Sequence, residues 1–324
     1  MKKYLKSCLT FLLIPGLIFL TCSCKNRPSS IVLITTNVTD ITQTSAVTGG
    51  NISTVNCGPL NSRGVCWGIT PDPLIENNKT INGNGTGSYV STLTGLKPGT
   101  NYFVRAYVIN KTDTVYGNTV SFSTQKYGTV TDIEGNEYKT ITIGTQTWMA
   151  ENLGTTKYID GIAIPLISDE KAWAGLSTPG FCWYENDEAA FKEIYGALYN
   201  WYAINTGKLC PTGWHAASDA EWSVLTTYLG GESVAGGKMK ETGVDYWVEP
   251  NVGATNDQGF SALPGGFRYY DGKFYDFGFS GYWWASGELS ASRARFRYLS
   301  SDDSVVFRFD NLKKNGFSVR CIKD

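Results

Sequence analysis

Residues 259–286 read GFSALPGGFRYYDGKFYDFGFSGYWWAS, and the C-terminal half of the chain must be built around them. Glycine permits positive φ and close backbone approach, while aromatic rings supply large apolar area, so the mixture suits a compact, loop-rich core. It names no reaction by itself. Outward from this stretch, nine of the ten tryptophans follow Tyr127, which places most of the large apolar surface in a module spanning 127–324. Residues 130–133, a Glu134-Gly135-Asn136 turn, 138–143 and 146–149 predict a hairpin opening an α+β domain. Two helices are predicted. Residues 188–205 put Phe191, Ile194, Leu198, Trp201 and Tyr202 on one face, with a stop at Gly207. Ser218-Asp219-Ala220-Glu221 forms a capping box ahead of Trp222, Leu225 and Leu229, closed by Gly230-Gly231. Further on, Arg293, Arg295, Arg297 and Arg308 alternate with apolar residues, as on a solvated strand face.

The other end of the chain carries an address. Lys2, Lys3 and Lys6 precede an apolar run over 9–20 that is broken by Pro15-Gly16 and followed by small residues around cysteine. That run is short of the roughly 20 apolar residues a bilayer-spanning helix needs, so 1–23 read as a cleaved secretory signal. Leu20-Thr21-Cys22-Ser23-Cys24 resembles a bacterial lipobox, with Thr21 in place of the usual leucine and Cys24 as the lipidated residue. Residues 24–30 are then a tether. Loss of 1–23 removes three lysines and no acids, moving the net charge from −1 to −4. With no basic cluster, nucleic acid is excluded as a partner. The single histidine, His215, and the lack of a CxxC pair argue against a zinc site.

Between these ends, 31–125 alternate short β-rich runs (45–52, 63–68, 89–93, 102–110, 119–124) with turns, which predicts a small antiparallel sandwich. The run from Leu93 to Tyr107, LTGLKPGTNYFVRAY, resembles the fibronectin type III signature, with Leu96 and Tyr102 pinning the loop and Phe103, Arg105 and Tyr107 facing away from Tyr102, Val104 and Ala106. Cys57 and Cys66 either close a small loop or leave Cys66 as buried apolar filler. Asn78-Lys79-Thr80 fits a glycosylation triplet. Such a module is expected to act as a stalk.

In the C-terminal module, Thr147–Leu153 (TWMAENL), Cys182-Trp183-Tyr184, Tyr199-Asn200-Trp201-Tyr202, Leu209–His215 (LCPTGWH), 259–266, 281–286 and Gly316–Cys321 (GFSVRC) occur in the order of the Fibrobacter succinogenes major paralogous domain. The resemblance covers 127–324. It implies a C-type-lectin-like fold with two helices on a small antiparallel sheet, a structural disulfide between Cys210 and Cys321, and a home in secreted or lipid-anchored envelope proteins. It also implies kinship with formylglycine-generating enzymes, whose chemistry needs a late pair of redox cysteines; here only Cys321 lies late.

Other chemistry is sparse. Cys182 sits among aromatics with no basic neighbour in sequence, a setting that raises a thiol's pKa and makes it inert. His215 has no nucleophile partner and reads as structural. Glu249-Pro250-Asn251 matches the calcium-and-mannose tripeptide of many C-type lectins, but the Trp-Asn-Asp partner is replaced by Trp283-Trp284-Ala285-Ser286, leaving Glu249, Asn251, Asn256 and Asp257 as the calcium candidates beside an ordinary-turn reading. Tyr269, Tyr270, Phe274, Tyr275, Tyr282, Trp283 and Trp284 are the ligand-contact candidates against core packing. No catalytic constellation or other cofactor is read. The expectation is a non-enzymatic, outer-membrane-anchored lipoprotein whose head binds a glycan or envelope protein. The absence of acids after Cys24 favours the periplasmic side. An envelope enzyme and a purely structural surface component are the alternatives.

Overall fold

The computed structural model describes residues 30–55, 59–111 and 113–324. The expected signal over 1–23, the expected lipid-attachment residue Cys24, the residues of the expected tether before Ser30, and Cys57 lie outside the described residues. Cys66 is a buried free thiol donating toward Pro73 O at 3.2 Å, which favours the filler reading of it.

The N-terminal strands are β1 (Ser30–Thr35), β2 (Ala46–Val55), β3 (Ser62–Gly68), β4 (Asn78–Lys79), β5 (Gly87–Leu93), β6 (Asn101–Ile109), β7 (Thr114–Tyr116) and β8 (Val120–Ser123). They form two antiparallel sheets, β1-β2-β5 and β4-β3-β6-β7, with β8 also on β6. Alternation along β6 buries Tyr102, Val104 and Ala106 between the sheets with Leu33, Val65, Leu93, Leu96 and Phe122. On the opposite face Phe103 and Arg105 are half-exposed, whereas Tyr107 is buried and donates to Thr80 O at 2.7 Å. The Tyr102 hydroxyl accepts from Lys97 N at 2.9 Å, so the loop is pinned as the sequence predicts.

A meander follows: β9 (Gly128–Thr131), β10 (Glu137–Ile143) and β11 (Gln146–Met149). After it come α1 (Glu170–Ala174), β12 (Phe181–Cys182), α2 (Glu188–Tyr195), β13 (Leu198–Tyr199), α3 (Trp201–Ile204), β14 (Trp214–Ala216), α4 (Asp219–Tyr228) and α5 (Glu232–Met239). The chain closes with β15 (Gly265–Arg268), β16 (Phe274–Phe277), β17 (Ser280–Glu288), β18 (Arg293–Ser300), β19 (Phe307–Leu312) and β20 (Cys321–Lys323). One sheet runs β14-β20-β11-β10-β9 and another β16-β15-β17-β18-β19.

Successive strand residues face opposite ways, so Trp283 and Trp284 on β17 enter different cores. Trp283 joins Trp148, Trp222 and Phe260; Trp284 joins Trp183, Trp201, Phe296 and Phe317. β17 is therefore a wall shared by both cores. Residues 316–323 cross the middle of the module, with Phe317 bridged to Tyr199, Ser318 to Trp283, Cys321 to Ala216 and Ile322 to Trp148. Cys210 and Cys321 are disulfide-bonded, as the family resemblance implies.

Three sequence expectations are corrected. The helix over 188–205 breaks at Gly196, where φ is 69° and a Cβ would stand 2.7 Å from Leu153 O. The chain there turns to pair Ala197 N with Leu153 O, and Asn200 caps a new short helix through Ala203 N. α4 starts at the predicted capping box and ends at the double glycine, but α5 follows unforeseen. Gly236 and Gly237 sit in α5 because a Cβ would meet Val305 O at 2.5 Å and Gly253 O at 2.3 Å. Finally, Arg297 is fully buried rather than solvated, because α4 and α5 cover that face; its guanidinium pairs with Asp219 at 2.9 Å and Glu232 at 3.1 Å. Arg293, Arg295 and Arg308 stay partly exposed in pairs with Asp310 or Asp219.

The sandwich does not hang loosely from the rest. β9 pairs with β10 only as far as Thr140, leaving the edge of β10 open beyond it. The Gln43 side-chain amide fills that gap: it donates to Thr140 O at 3.2 Å and accepts from Thr142 N at 3.0 Å, as another strand would. Thr44 Oγ1 adds a bond to Gln258 Oε1 at 3.1 Å.

Candidate ligand-binding face

The ligand-contact candidates divide sharply. Trp283 and Trp284 are core, and each indole N–H is spent inside, on Asn152 Oδ1 at 2.8 Å and Tyr199 O at 2.9 Å. They are withdrawn as ligand contacts. Phe274 is half-buried against Tyr184, 5.1 Å between centroids, and beneath Arg268. Tyr282 is also half-buried, donating to Asp276 Oδ2 at 2.6 Å; burial, then that carboxylate, raises its pKa. Tyr269, half-exposed, lies 4.2 Å from Tyr270 and 6.0 Å from Tyr275. Tyr270 and Tyr275 are exposed, at 37% and 40%.

These rings are one end of a larger array that the sequence reading missed in part. From Tyr275 the ring centroids step 5.8 Å to Phe267, 4.6 Å to Tyr282, 5.4 Å to Tyr298 and 4.5 Å to Phe307. The steps cross all five strands, about 19 Å at a strand spacing of ~4.8 Å. Tyr298 and Phe307 are only 9° from parallel. Rings that close cannot lie side by side in one plane, so they stand face to face and cover each other's faces. Exposed rings remain at the ends: Tyr275 and Tyr270 on one side, the latter with the Lys314 ammonium 5.7 Å over its ring, and Phe309 (55% exposed) on the other. The signal for the missed residues is the period-two pairing of Phe296 with Tyr298 and Phe307 with Phe309, which reads as aromatic only once β18 and β19 are known to be neighbours.

The calcium candidates do not converge. Glu249 is exposed, whereas Asn251 is buried with its Nδ2 donating to Glu241 O and Gly243 O. Asn256 donates to Glu241 Oε2 at 2.8 Å, and its Oδ1 is occupied by Ser261 N. Asp257 is half-exposed, its carboxylate facing the Gly95 turn of the sandwich. These contacts are turn chemistry, and among the described residues no group of three His, Cys, Asp or Glu is placed to hold a metal ion.

Cys182 is buried, and desolvation pushes its thiol up to about 12 despite an opposing Arg268 guanidinium. That guanidinium corrects the expectation of no basic neighbour. It is committed elsewhere, donating to Ile167 O, Ser168 O and Gly272 O between the rings of Trp173 and Phe274.

His215 is clamped between Asp324 Oδ1 at 2.6 Å and Glu221 Oε1 at 2.8 Å, tying β14 to the start of α4. Burial pulls its pKa down, but the two carboxylates outweigh it and leave the pKa raised. A raised folded pKa stabilises fully below the unfolded value near 6.5, and that increment is lost as pH climbs through the folded value. The gap in Tm between wild type and His215→Ala should therefore be widest near pH 6 and shrink toward pH 9. A pH-independent gap would contradict the clamp.

A concavity lies where the two modules meet. One part, about 390 Å³, runs beneath Tyr127, Glu151, Glu193, Glu241 and Tyr246, with Arg320 in its floor. The adjoining part, about 430 Å³, shares Tyr127, Glu241 and Ser261, and the sandwich loop from Gly95 to Thr100 forms its other wall. Burial raises the Tyr127 pKa against an opposing hydrogen bond from Ser261.

The family model of the Fibrobacter succinogenes major domain matches residues 141–323, more than half of the chain. The chain belongs to that family. The matched span of this major domain holds both cores apart from Tyr138, with the disulfide, the aromatic array and most of the junction groove. No curated protein matches the chain. Among solved structures, the sensor domain of an anti-sigma factor from Pseudobacteroides cellulosolvens is 18% identical, covering 32% of this chain and 99% of that one at a TM-score of 0.24. A human fibronectin type III domain is 16% identical over 29% of this chain and 73% of that one, at a TM-score of 0.22. At such scores neither likeness adds to the fold.

Proposed function

We propose that this major-domain protein is a non-enzymatic binding protein of the cell envelope. A lipid on Cys24 anchors it to the outer membrane on the periplasmic side, and the fibronectin-like sandwich carries a C-type-lectin-like head that binds a glycan. The observation that carries the reading is the aromatic array, whose exposed rings at Tyr270, Tyr275 and Phe309 lie at the margins of a five-stranded sheet. Free rings on a pre-ordered surface stack on sugar C–H faces at little entropic cost. The polar groups beside them favour hydroxyls: Asp271 and Lys273 flank the Tyr270 and Tyr275 end and are exposed or half-exposed. The cysteine and histidine are held by packing and by paired carboxylates, which supports a binding role over catalysis.

The test is a glycan array run beside a binding screen against envelope proteins, each with and without calcium. Calcium-independent capture of a saccharide class is expected. Capture of protein alone would replace the glycan with a protein ligand, and silence in both would overturn the binding reading.

A further inference from the structure

We infer that the groove between the sandwich and the head is a saccharide site built by both modules. The inference rests on the glycan-binding reading above and gives it a second location. In it, the sandwich predicted as a stalk supplies half of a binding site.

The lining chemistry selects the ligand class. Lys97 and Thr100 of the sandwich line the groove together with Tyr127, Glu241, Asn256 and Ser261 of the head. A sugar hydroxyl both donates and accepts, and this set offers the Lys97 ammonium as donor, the Glu241 carboxylate as acceptor and hydroxyls that do either, while Asn256 is spent on Glu241 and Ser261 and only orients them. Two of the cations in the lining are already spent: Arg320 places its guanidinium on Asn152 Oδ1, Met149 O, Phe260 O and Ser261 O, and Lys139 is held by Glu151 at 3.1 Å. Tyr127 and Tyr246 supply the apolar faces a pyranose ring needs.

An extended peptide fits less well. Peptides commonly join an open strand edge, and the edge bordering this groove is β10, which Gln43 has closed. The same two hydrogen bonds hold the walls in register, so the site is formed before ligand arrives. Each part of the groove also falls within the ~300–1,000 Å³ range of small-molecule sites.

The experiment is isothermal titration of the protein, both modules present, with cellotetraose, xylotetraose and mannotetraose. The variants are Lys97→Ala, Glu241→Gln, Gln43→Ala and the double Tyr270→Ala/Tyr275→Ala. Glu241→Gln keeps an oxygen for Asn256 Nδ2, and unchanged melting confirms that each variant folds. At least one tetrasaccharide should bind, with Lys97→Ala and Glu241→Gln each weakening it tenfold or more and Gln43→Ala weakening it severalfold. If only the double tyrosine variant weakens binding, the groove is overturned and the glycan reading stands on the aromatic face alone. If no tetrasaccharide binds while the array captures other glycans, the groove is likewise overturned. If the array is also silent, both fall.

Discussion

Replacing Cys210 and Cys321 together with alanine should lower unfolding stability by about 4–5 kcal/mol. The bond closes a loop with a sequence separation of 111 residues. In the chain-entropy treatment, a loop of that length in the unfolded state is worth about this much. For a domain of this size the change in melting temperature is on the order of 10 °C. The bond also fastens β20, which lies between β14 and β11, one strand in from the edge of its sheet, so the loss falls on the segment that joins both cores. Guanidinium unfolding of the double variant against wild type under non-reducing conditions measures it. A difference under about 1 kcal/mol would mean that the segment over 316–323 is held by packing alone.

Arg320→Met should cost about as much, roughly 3–5 kcal/mol, through a different physical cause. Arg320 is 1% exposed, and its side chain donates to Asn152 Oδ1 at 2.7 Å, Phe260 O at 2.7 Å, Met149 O at 3.0 Å and Ser261 O at 3.0 Å. Methionine fills a similar volume but takes a donor from each of these buried acceptors, leaving Asn152 Oδ1 with the Trp283 indole N–H, at about 1–3 kcal/mol for each acceptor left unpaired where water cannot reach. Burial disfavours the charge, pushing the Arg320 pKa down to about 9, so the residue is retained for its planar set of donors rather than for an ion pair. Arg320→Lys should therefore rescue only a minor part. Arg293→Met is the control: its partner Asp310 is an exposed carboxylate, and removing such a pair costs 0–1 kcal/mol. Equal losses at 320 and 293 would contradict this account.

How far the sequence carried can be judged from these same residues. Ser218 and Glu221 announced α4 because a capping box is local chemistry, complete within four residues. Alternation along β6 announced which side chains the sandwich buries, again because a strand's period is local. The pairing of Cys210 with Cys321 came from family likeness, since spacing alone leaves cysteine connectivity open. Arg297 was misplaced for the opposite reason. Its exposure depends on whether something covers β18, and the cover includes α5, a helix whose Gly236-Gly237 pair argues against helix until the backbone of Ser304 and Val305 is found lying on it. Gly196 broke a well-patterned helix because Leu153, distant in sequence, packs on the turn.

The candidate site shows the same division. The stretch over 259–286 was legible as aromatic and glycine-rich, but which of its rings face water depends on neighbours from elsewhere. Trp283 and Trp284 are covered from opposite sides by Trp222 and Phe317, while Tyr275 is left at an edge. Phe307 and Phe309 entered the array only through their register with Tyr298 and Phe296. Gln43 carried no sequence signal at all, because a side-chain amide standing in for a strand has no pattern around it.

The central claim is that the free rings at the margin of the β16–β19 sheet, and not the buried tryptophans, contact a glycan. It is tested most directly by measuring the dissociation constant of the strongest saccharide from the glycan array for wild type and for Tyr270→Ala/Tyr275→Ala, with melting curves on both. The account predicts an unchanged melting temperature and an affinity lower by tenfold or more, a loss of about 1.4 kcal/mol or greater. Unchanged affinity in the folded double variant would contradict it.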